Sequence, residues 1–290
     1  MATIKIKKIR KESLLLEKGK YYPMIRSRHP SHSGLRRALS KLNFRSVIRF
    51  GSSTVIEDNI KRVELNSIEA IANSSSKLKM KKCFSEHNVK TAEWIQYSDI
   101  EQLNEFIKKV EFPIVAKSHN GSRGRGNTLL KNIKELDDFL QSRPNNLNSY
   151  IFEKYYNYNK EYRLHVTKDG CFYSCRKMLK QDFKDHPNAW QRHDDNCVWM
   201  LLESENFDKP NNWDLPNGII ENCVKALISC GLDFGACDLR VQNNTDKDGN
   251  RRENPEFIVV EINSAPSFGE VTLQKYKEVL PKLLMNKYND

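Results

Sequence analysis

The sequence predicts an α+β protein in which a small α/β segment precedes a larger part built from helices and antiparallel strands. Near the N-terminus, one predicted helix lies between two strand-like runs, which is a βαβ-like beginning. Further along, a strand, a glycine-rich loop, a second strand and a helix follow one another. Strand-like runs then flank the turn at Asp169 and Gly170, which is typical of an antiparallel hairpin.

The elements of the first third follow from apolar spacing and turn residues. Strands are predicted at YYPMIRSR and RSVIRFGSS, and a short helix opened by Ser33 lies between them at SGLRRALSKLN. A helical pattern with breaks near residues 73–76 spans residues 66–89, and residues 91–96 are strand-like. Residues 100–110 predict an amphipathic helix with one apolar face, formed by Leu103, Phe106, Ile107 and Val110.

The remainder predicts a sheet-rich part covered by helices. FPIVAKS and TLLK are strands on either side of the glycine-rich loop, and NIKELDDFL is the helix that follows. SYIFEKYY, EYRLHVTKDG and CFYSCRKML are predicted strands, and NGIIENCVKALISCG is a helix stopped by Gly231. DFGACDLRVQ and EFIVVEINSAPSF are the last strands, and a final helix is predicted from Leu273 to Asn286.

Positive charge is concentrated at the N-terminal end of the chain. The net charge is +11; residues 1–90 hold 21 Lys and Arg against 7 Asp and Glu, whereas residues 91–290 hold 27 against 30. A basic segment of this kind suits an anionic partner, such as nucleic acid, an acidic peptide or a small carboxylate. A solvated basic surface that aids solubility is the alternative.

Cysteine content and hydropathy favour a cytoplasmic protein without a membrane partner. The seven cysteines include no CxxC pair, so we expect buried, reduced thiols rather than disulfides. No apolar run approaches the roughly 18 residues that a membrane span needs. The first 20 residues also lack the uninterrupted apolar stretch of a signal peptide.

The glycine-rich loop HNGSRGRGNT, residues 119–128, admits three interpretations. A Walker phosphate loop fails because Asn127 stands where the lysine is required and a strand-like run follows in place of a helix. An arginine-glycine RNA-binding tail is disfavoured because the loop is a single copy between two strands. The remaining interpretation is a flap whose backbone N–H groups close over phosphates, with Ser122 as a further donor and Arg123 and Arg125 as cations.

Acidic and amide side chains near the C-terminus predict a metal site. Alternation places Glu261 and Asn263 on one face of a strand, and Asp238 is available from a neighbouring strand. Oxygen ligands of this kind suit Mg²⁺, which is completed by water and substrate phosphates. A calcium loop at residues 244–255 is excluded because Pro255 occupies the position of the bidentate glutamate.

Four stretches together resemble the ATP-grasp superfamily, which includes D-alanine:D-alanine ligase, glutathione synthetase and the ribosomal-protein glutamate-adding ligases. They are SSKLKMKKCFSEHNVKTAEW, FPIVAKSHNGSRGRGNTLL, YIFEKYYNYNKEYRLHV, and DFGACDLRVQ with FIVVEINSAPSF. The resemblance implies an ATP-grasp fold at residues 74–290, with lobes at about 74–152 and 153–290 clasping ATP. Residues 1–73 look like a reduced N-terminal domain, and VIRFGSST with VELNSIEAIANSSSK is similar to uncharacterised ATP-grasp proteins of tailed phages.

The resemblance also implies a role for individual residues. Nucleotide binding would involve the adenine hinge at Glu153, the ribose contact at Glu161, and a set of lysine and flap residues, namely Lys77, Lys117, Lys177, Gly121, Ser122, Arg123, Gly124 and Gly126. Arg163 would face the γ-phosphate together with Lys177. Asp238, Glu261 and Asn263 would hold two Mg²⁺ ions, with Mn²⁺ as an alternative ion.

The favoured function is an ATP-dependent carboxylate-amine ligase that forms an amide through an acyl phosphate. Such a reaction depends on positioning and charge neutralisation, and Arg240, on the same strand face as Asp238, is a candidate to steady the acyl phosphate or the acceptor. Its substrates would be an amino acid or amine and a carboxylate, at least one of them anionic. A kinase and a nucleic-acid-binding protein are the alternatives, and Arg192 and His193 are open between substrate contact and ordinary surface charge.

Overall fold

The computed structural model describes residues 24–27, 32, 34, 35, 39, 42–121, 126–192, 196–201 and 215–290. Within these residues the chain forms three sheets and six α-helices. The mixture of helices with mainly antiparallel sheets confirms the predicted α+β class.

The first sheet is parallel and lies at the N-terminal end. Its strands follow the order β1-β2-β3, with bounds β1 (Met24–Ser27), β2 (Ser46–Phe50) and β3 (Val63–Leu65). The predicted strands at β1 and β2 are confirmed, whereas β3 was not predicted. Most of the helix predicted between β1 and β2 lies outside the described residues. The sheet packs against the C-terminal helix, because Phe44, Ile48 and Phe50 share a buried cluster with Tyr276 and Leu280.

Two short helices then lead to the second sheet. They are α1 (Ile68–Ser75) and α2 (Lys77–Glu86), and the break between them at Ser76 falls where the sequence places it. The hydroxyls of Ser67 and Ser76 cap the two helices by accepting hydrogen bonds from the backbone N–H groups of the first turn. Lys77 is therefore fixed at the first position of α2.

The second sheet is antiparallel and carries the glycine-rich loop. Its order is β4-β7-β5-β6, with bounds β4 (Trp94–Gln96), β5 (Ile114–Ser118), β6 (Thr128–Leu130) and β7 (Tyr150–Lys154). Helices α3 (Ile100–Val110) and α4 (Ile133–Gln141) pack on it through the apolar cluster around Leu103, Leu136 and Phe139. The predicted order of strand, loop, strand and helix is confirmed at β5, β6 and α4.

The third sheet is the largest and is also antiparallel. Its order is β10-β9-β8-β11-β12, with bounds β8 (Lys160–Thr167), β9 (Gly170–Leu179), β10 (Cys197–Leu201), β11 (Phe234–Val241) and β12 (Phe257–Asn263). Helix α5 (Ile219–Ser229) precedes β11, and α6 (Glu270–Asn289) follows β12. Helix α6 is longer than predicted at both ends, because its buried positions Thr272, Tyr276 and Leu280 keep the helical spacing from the first turn.

The two faces of the third sheet have opposite character. Tyr162, Leu164, Cys237 and Leu239 face one way into a buried cluster with α1, α2 and α5. Because side chains alternate along a strand, the residues between them point to the other face, where charged groups predominate. This charged face carries the candidate site. In the part of the chain that the structure describes, no helix is long and apolar enough to cross a membrane.

Candidate active site

Strand register arranges the charged face of the third sheet in two neighbouring rows. In one row Lys177, Glu161 and Arg240 are register partners across β9, β8 and β11. In the next row Arg163 of β8 pairs with Asp238 of β11, and Asp238 pairs with Glu261 of β12. Since all of these side chains occupy alternate positions, they lie on the same side of the sheet. Glu261 and Asn263 lie on the same face of β12, as the sequence predicts.

The two carboxylates and the amide meet in one cluster. Asn263 Nδ2 donates a hydrogen bond to Asp238 Oδ2 at 3.2 Å and another to Glu261 Oε1 at 3.1 Å. The amide nitrogen thus stands between two anionic oxygens, where a cation would neutralise both. Rotating the amide would turn its carbonyl oxygen to the same place.

The chemistry of this cluster fits a hard divalent cation. Within the described residues, no three side chains of His, Cys, Asp or Glu come together to hold a metal. This cluster instead offers two carboxylates and one amide. Mg²⁺ commonly takes only a few protein ligands and completes its shell with water and substrate phosphates. Asp238, Glu261 and Asn263 are therefore the residues that could hold it.

A bidentate ion pair anchors the centre of the cluster. Arg163 Nε lies 2.6 Å from Asp238 Oδ1, and Arg163 Nη2 lies 2.8 Å from Asp238 Oδ2. Burial acts to raise the pKa of Asp238, but the neighbouring guanidinium outweighs it and holds that pKa below its usual value. Asp238 is therefore ionised at neutral pH.

Glu161 lies between two cations in the adjacent row. Its Oε1 is 3.9 Å from Lys177 Nζ, and its Oε2 is 3.7 Å from Arg240 Nε. Burial raises the pKa of Glu161, and the two cations oppose that rise. The ring of Trp199 contacts two cations of the site, with its centroid 5.1 Å from Lys177 Nζ and 4.7 Å from Arg163 Cζ.

Residues 190–192 cover this row. The backbone oxygen of Trp190 accepts a hydrogen bond from Arg240, and that of Arg192 accepts one from Lys177 at 2.5 Å. The Arg192 side chain donates to the backbone oxygen of Asn159 at 2.6 Å. Arg192 is thus held next to this row by hydrogen bonds to Lys177 and Asn159, whereas His193 lies outside the described residues.

Lys117 and Glu153 form a buried pair on the second sheet. Lys117 Nζ donates to Glu153 Oε2 at 2.7 Å, and Lys81 Nζ lies 3.4 Å from Glu153 Oε1. Burial acts to raise the pKa of Glu153, but the two ammonium groups outweigh it and keep that pKa below its usual value. The carboxylate expected at the adenine hinge is thus occupied by two lysines.

The base of the glycine-rich loop is fastened to helix α2. Lys77 Nζ donates to the backbone oxygen of Gly121, and the Lys77 backbone N–H donates to that of His119 at 2.9 Å. Gly126 has a φ of +79°, which favours glycine at the return into β6. Four loop residues that the sequence singles out lie outside the described residues, namely Ser122, Arg123, Gly124 and Arg125.

Some contributors to the site were not expected from the sequence. Lys81 lies in a lysine-rich helical segment, which ordinarily indicates a solvated face, and Trp199 lies on β10, which was not predicted as a strand. A tryptophan two positions after a cysteine in a short apolar run was the available signal for β10. The seven cysteines are all free, as expected, and residues 244–251 close a tight hairpin rather than a calcium loop.

Comparison with known proteins identifies the domain. Residues 82–188 match the family model described as the ATP-grasp domain. A search of curated proteins found no match.

Three solved structures show the similarity of the fold. N5-carboxyaminoimidazole synthetase from Staphylococcus aureus complexed with ADP aligns over 93% of this chain and 79% of its own, with 15% identity and a TM-score of 0.60. D-alanine–D-alanine ligase from Bacillus anthracis aligns over 92% and 95%, with 14% identity and a TM-score of 0.57. The ATP-grasp ligase PsnB complexed with a minimal precursor aligns over 77% of this chain, with 16% identity and a TM-score of 0.52.

The coverage and the sequence identity of these alignments determine what they show. The present chain spans 64% of the length of PsnB, and all three identities lie at a level where the fold alone is shared. The domain match covers β4 to β9, the region that contains Lys117, Glu153 and Arg163. The resemblance drawn from the sequence is confirmed by the fold and by the domain match: the chain has an ATP-grasp fold, and its residues 82–188 match the ATP-grasp domain.

Proposed function

We propose that the protein is an ATP-dependent carboxylate-amine ligase that forms an amide or peptide bond through an acyl phosphate and releases ADP and phosphate. One observation supports this most strongly, the convergence of Asp238, Glu261 and Asn263 beside Arg163 on one face of the third sheet. This arrangement combines oxygen ligands for a divalent cation with a fixed cation for phosphate. Phosphoryl transfer needs that combination and needs no protein nucleophile.

The nucleotide would lie between the second and third sheets. Lys77 and Lys117 would contact its phosphates, and the loop from Gly121 to Gly126 would close over them with backbone N–H groups. The backbone after Glu153 would bind the adenine, while the Glu153 carboxylate holds Lys117 in place. Glu161 would accept hydrogen bonds from the ribose hydroxyls.

Charge neutralisation at the transferred phosphate would come from two sources. Asp238, Glu261 and Asn263 would hold Mg²⁺, which draws charge from the phosphate oxygens when it is bound. Arg163 and Lys177 would face the γ-phosphate, and their positions are supported by Asp238 and Trp199. Arg240 would steady the acyl phosphate or the incoming acceptor.

The proposed reaction has two chemical steps and needs no covalent enzyme intermediate. A substrate carboxylate oxygen attacks the γ-phosphorus, the bond to the β-phosphate oxygen breaks, and ADP leaves. The amine nitrogen then attacks the acyl carbon, inorganic phosphate leaves with the bonding electron pair, and the amine gives up a proton to solvent. The residues on the charged face hold the reacting groups in line and oppose the developing negative charge.

The charge distribution along the chain indicates the general class of the substrates. The excess of Lys and Arg in residues 1–90 supports at least one anionic substrate, either a small molecule or an acidic peptide. The amine would be an amino acid or another primary amine. The seven free thiols are compatible with a cytoplasmic protein.

A screen for ATP-dependent phosphate release tests this proposal. The wild-type protein is incubated with ATP, Mg²⁺ and pools of amino acids, polyamines and acidic peptides, and both free phosphate and product mass are measured. Stoichiometric phosphate with an amide product supports the ligase, whereas a product that keeps the phosphate indicates a kinase. Lys117→Ala and Glu261→Ala serve as inactive controls, because loss of one charge-stabilising group typically costs about 3 kcal/mol, roughly a hundredfold in rate.

The screen also has an outcome that excludes both enzymes. Absence of turnover with every pool, together with salt-dependent binding of DNA or RNA that survives both substitutions, would contradict the proposal and favour a nucleic-acid-binding protein.

A further inference from the structure

A fully buried lysine lies behind the site, in contact with the second sheet and linked to the third sheet through a threonine. Lys81, on the buried side of α2, is 1% exposed. Its ammonium lies 3.4 Å from Glu153 on the second sheet and donates to the Thr91 hydroxyl at 2.5 Å. That hydroxyl donates in turn to the backbone oxygen of Val259 on β12 at 2.7 Å. Lys81 therefore connects the nucleotide-facing pair on β5 and β7 with the strand that carries Glu261.

The burial of a lysine is costly unless its charge has a use. An ammonium is ordinarily exposed, and a methionine of similar length would fill the same space without desolvation. Burial lowers the pKa of Lys81 to about 8, and Glu153 opposes that fall. At neutral pH the side chain is therefore mostly protonated, so the chain retains a buried positive charge at this position.

The charge count of the cluster shows what Lys81 changes. Glu153 has one negative charge and is shared by two ammonium groups, Lys117 on Oε2 and Lys81 on Oε1. With Lys81 protonated the three groups carry a net charge of +1. Without it, Lys117 and Glu153 would form a neutral buried pair with little attraction for an anion.

We propose that Lys81 is a positioning residue that shares the Glu153 carboxylate and thereby leaves the positive charge of Lys117 available to nucleotide phosphates. This inference rests on the proposed function, because it assigns Lys117 to the nucleotide. It concerns a side chain that does not itself touch the ligand. Its role is electrostatic, so it is separable from packing.

A neutral substitution isolates that role. In Lys81→Met the Glu153 carboxylate keeps Lys117 as its partner, and Thr91 keeps its bond to Val259, so no buried charge is stranded. Removal of one unit charge this close to a phosphate site lowers affinity by about tenfold or more at an effective dielectric constant near 20. Lys81→Arg keeps the charge, and Lys82→Met removes an exposed lysine from the next position of the same helix.

The experiment is a calorimetric titration of the wild type and each variant, all containing residues 1–290, with MgADP, with thermal unfolding measured in parallel. We expect Lys81→Met to bind MgADP at least tenfold more weakly than the wild type while unfolding within a few degrees of it. Lys82→Met should bind as the wild type does, and Lys81→Arg should recover most of the affinity.

The alternatives are distinguishable. Wild-type affinity in a folded Lys81→Met protein would overturn the inference. If Lys81→Met and Lys81→Gln both fail to fold, Lys81 has a structural role and the inference is wrong. If the wild-type protein itself does not bind MgADP, the proposed function fails first.

Discussion

Replacement of Arg163 by methionine should destabilise the protein and make that loss depend on magnesium. The guanidinium makes two short contacts to Asp238, at 2.6 and 2.8 Å, and both side chains are largely buried, with exposed fractions of 15% and 13%. Removing one partner of such a pair leaves a buried carboxylate without its countercharge. The usual cost is about 3 to 5 kcal/mol, which is a large part of the stability of a typical domain.

The substitution should also change the affinity of the site for a divalent cation. Without Arg163, the Asp238 carboxylate loses its paired guanidinium, and Asp238 and Glu261 should bind a divalent cation more readily. We therefore expect Mg²⁺ to stabilise Arg163→Met more than it stabilises the wild type. Combining Arg163→Met with Asp238→Asn should recover part of the stability, because neither charge is then left unpaired.

Urea unfolding followed by circular dichroism, with and without Mg²⁺, measures both effects. Arg251→Met is the matched control, because Arg251 is exposed and its loss should change the free energy of unfolding by less than about 0.5 kcal/mol. A loss below about 1 kcal/mol in Arg163→Met without Mg²⁺ would refute the reasoning about the buried pair.

Three further predictions concern the surroundings of the site. Burial, assisted by the charge of Arg163, lowers the pKa of His165 to about 3, so the unfolded chain gains a proton below pH 6.5 that the folded chain does not. Because of this group, the free energy of unfolding should fall by about 2 kcal/mol between pH 6.5 and 5. Urea unfolding of His165→Gln at several pH values should lack this part of the pH dependence. Trp199→Leu should weaken ATP binding about three- to tenfold, and Trp199→Phe by less, because the ring covers Lys177 and Arg163; equal affinities by calorimetry would contradict this. Gly51→Ala should lower the free energy of unfolding by about 1 to 3 kcal/mol, because Gly51 has a φ of +64° and a Cβ would lie 2.8 Å from that of Ala265; an unchanged urea midpoint would argue against it.

Local sequence patterns were sufficient for those features that depend on neighbouring residues. The helix Ile100–Val110 was predicted with its observed bounds, because its apolar spacing is regular and its first turn is capped by Asp99. Strand alternation was likewise sufficient to place Glu261 and Asn263 on one face.

Features that depend on residues distant in the sequence could not be predicted from local sequence patterns. Lys81 is expected to be exposed in KLKMKK, and its burial depends on its contact with Glu153, a distant residue on the second sheet. Strand β10 is short and follows a polar segment, and its register with β9 is what brings Trp199 next to Lys177. The pairing of Arg163 with Asp238 also depends on the register between β8 and β11, which neither strand determines alone.

Titration of the protein with ATP, with and without Mg²⁺, tests most directly whether the charged face of the third sheet is a metal-nucleotide site. We predict that Mg²⁺ tightens ATP binding to the wild type and that Glu261→Gln loses most of this enhancement, because one of the two carboxylates is then neutral. The same enhancement by Mg²⁺ in Glu261→Gln as in the wild type, or absence of ATP binding to the wild type, would contradict it.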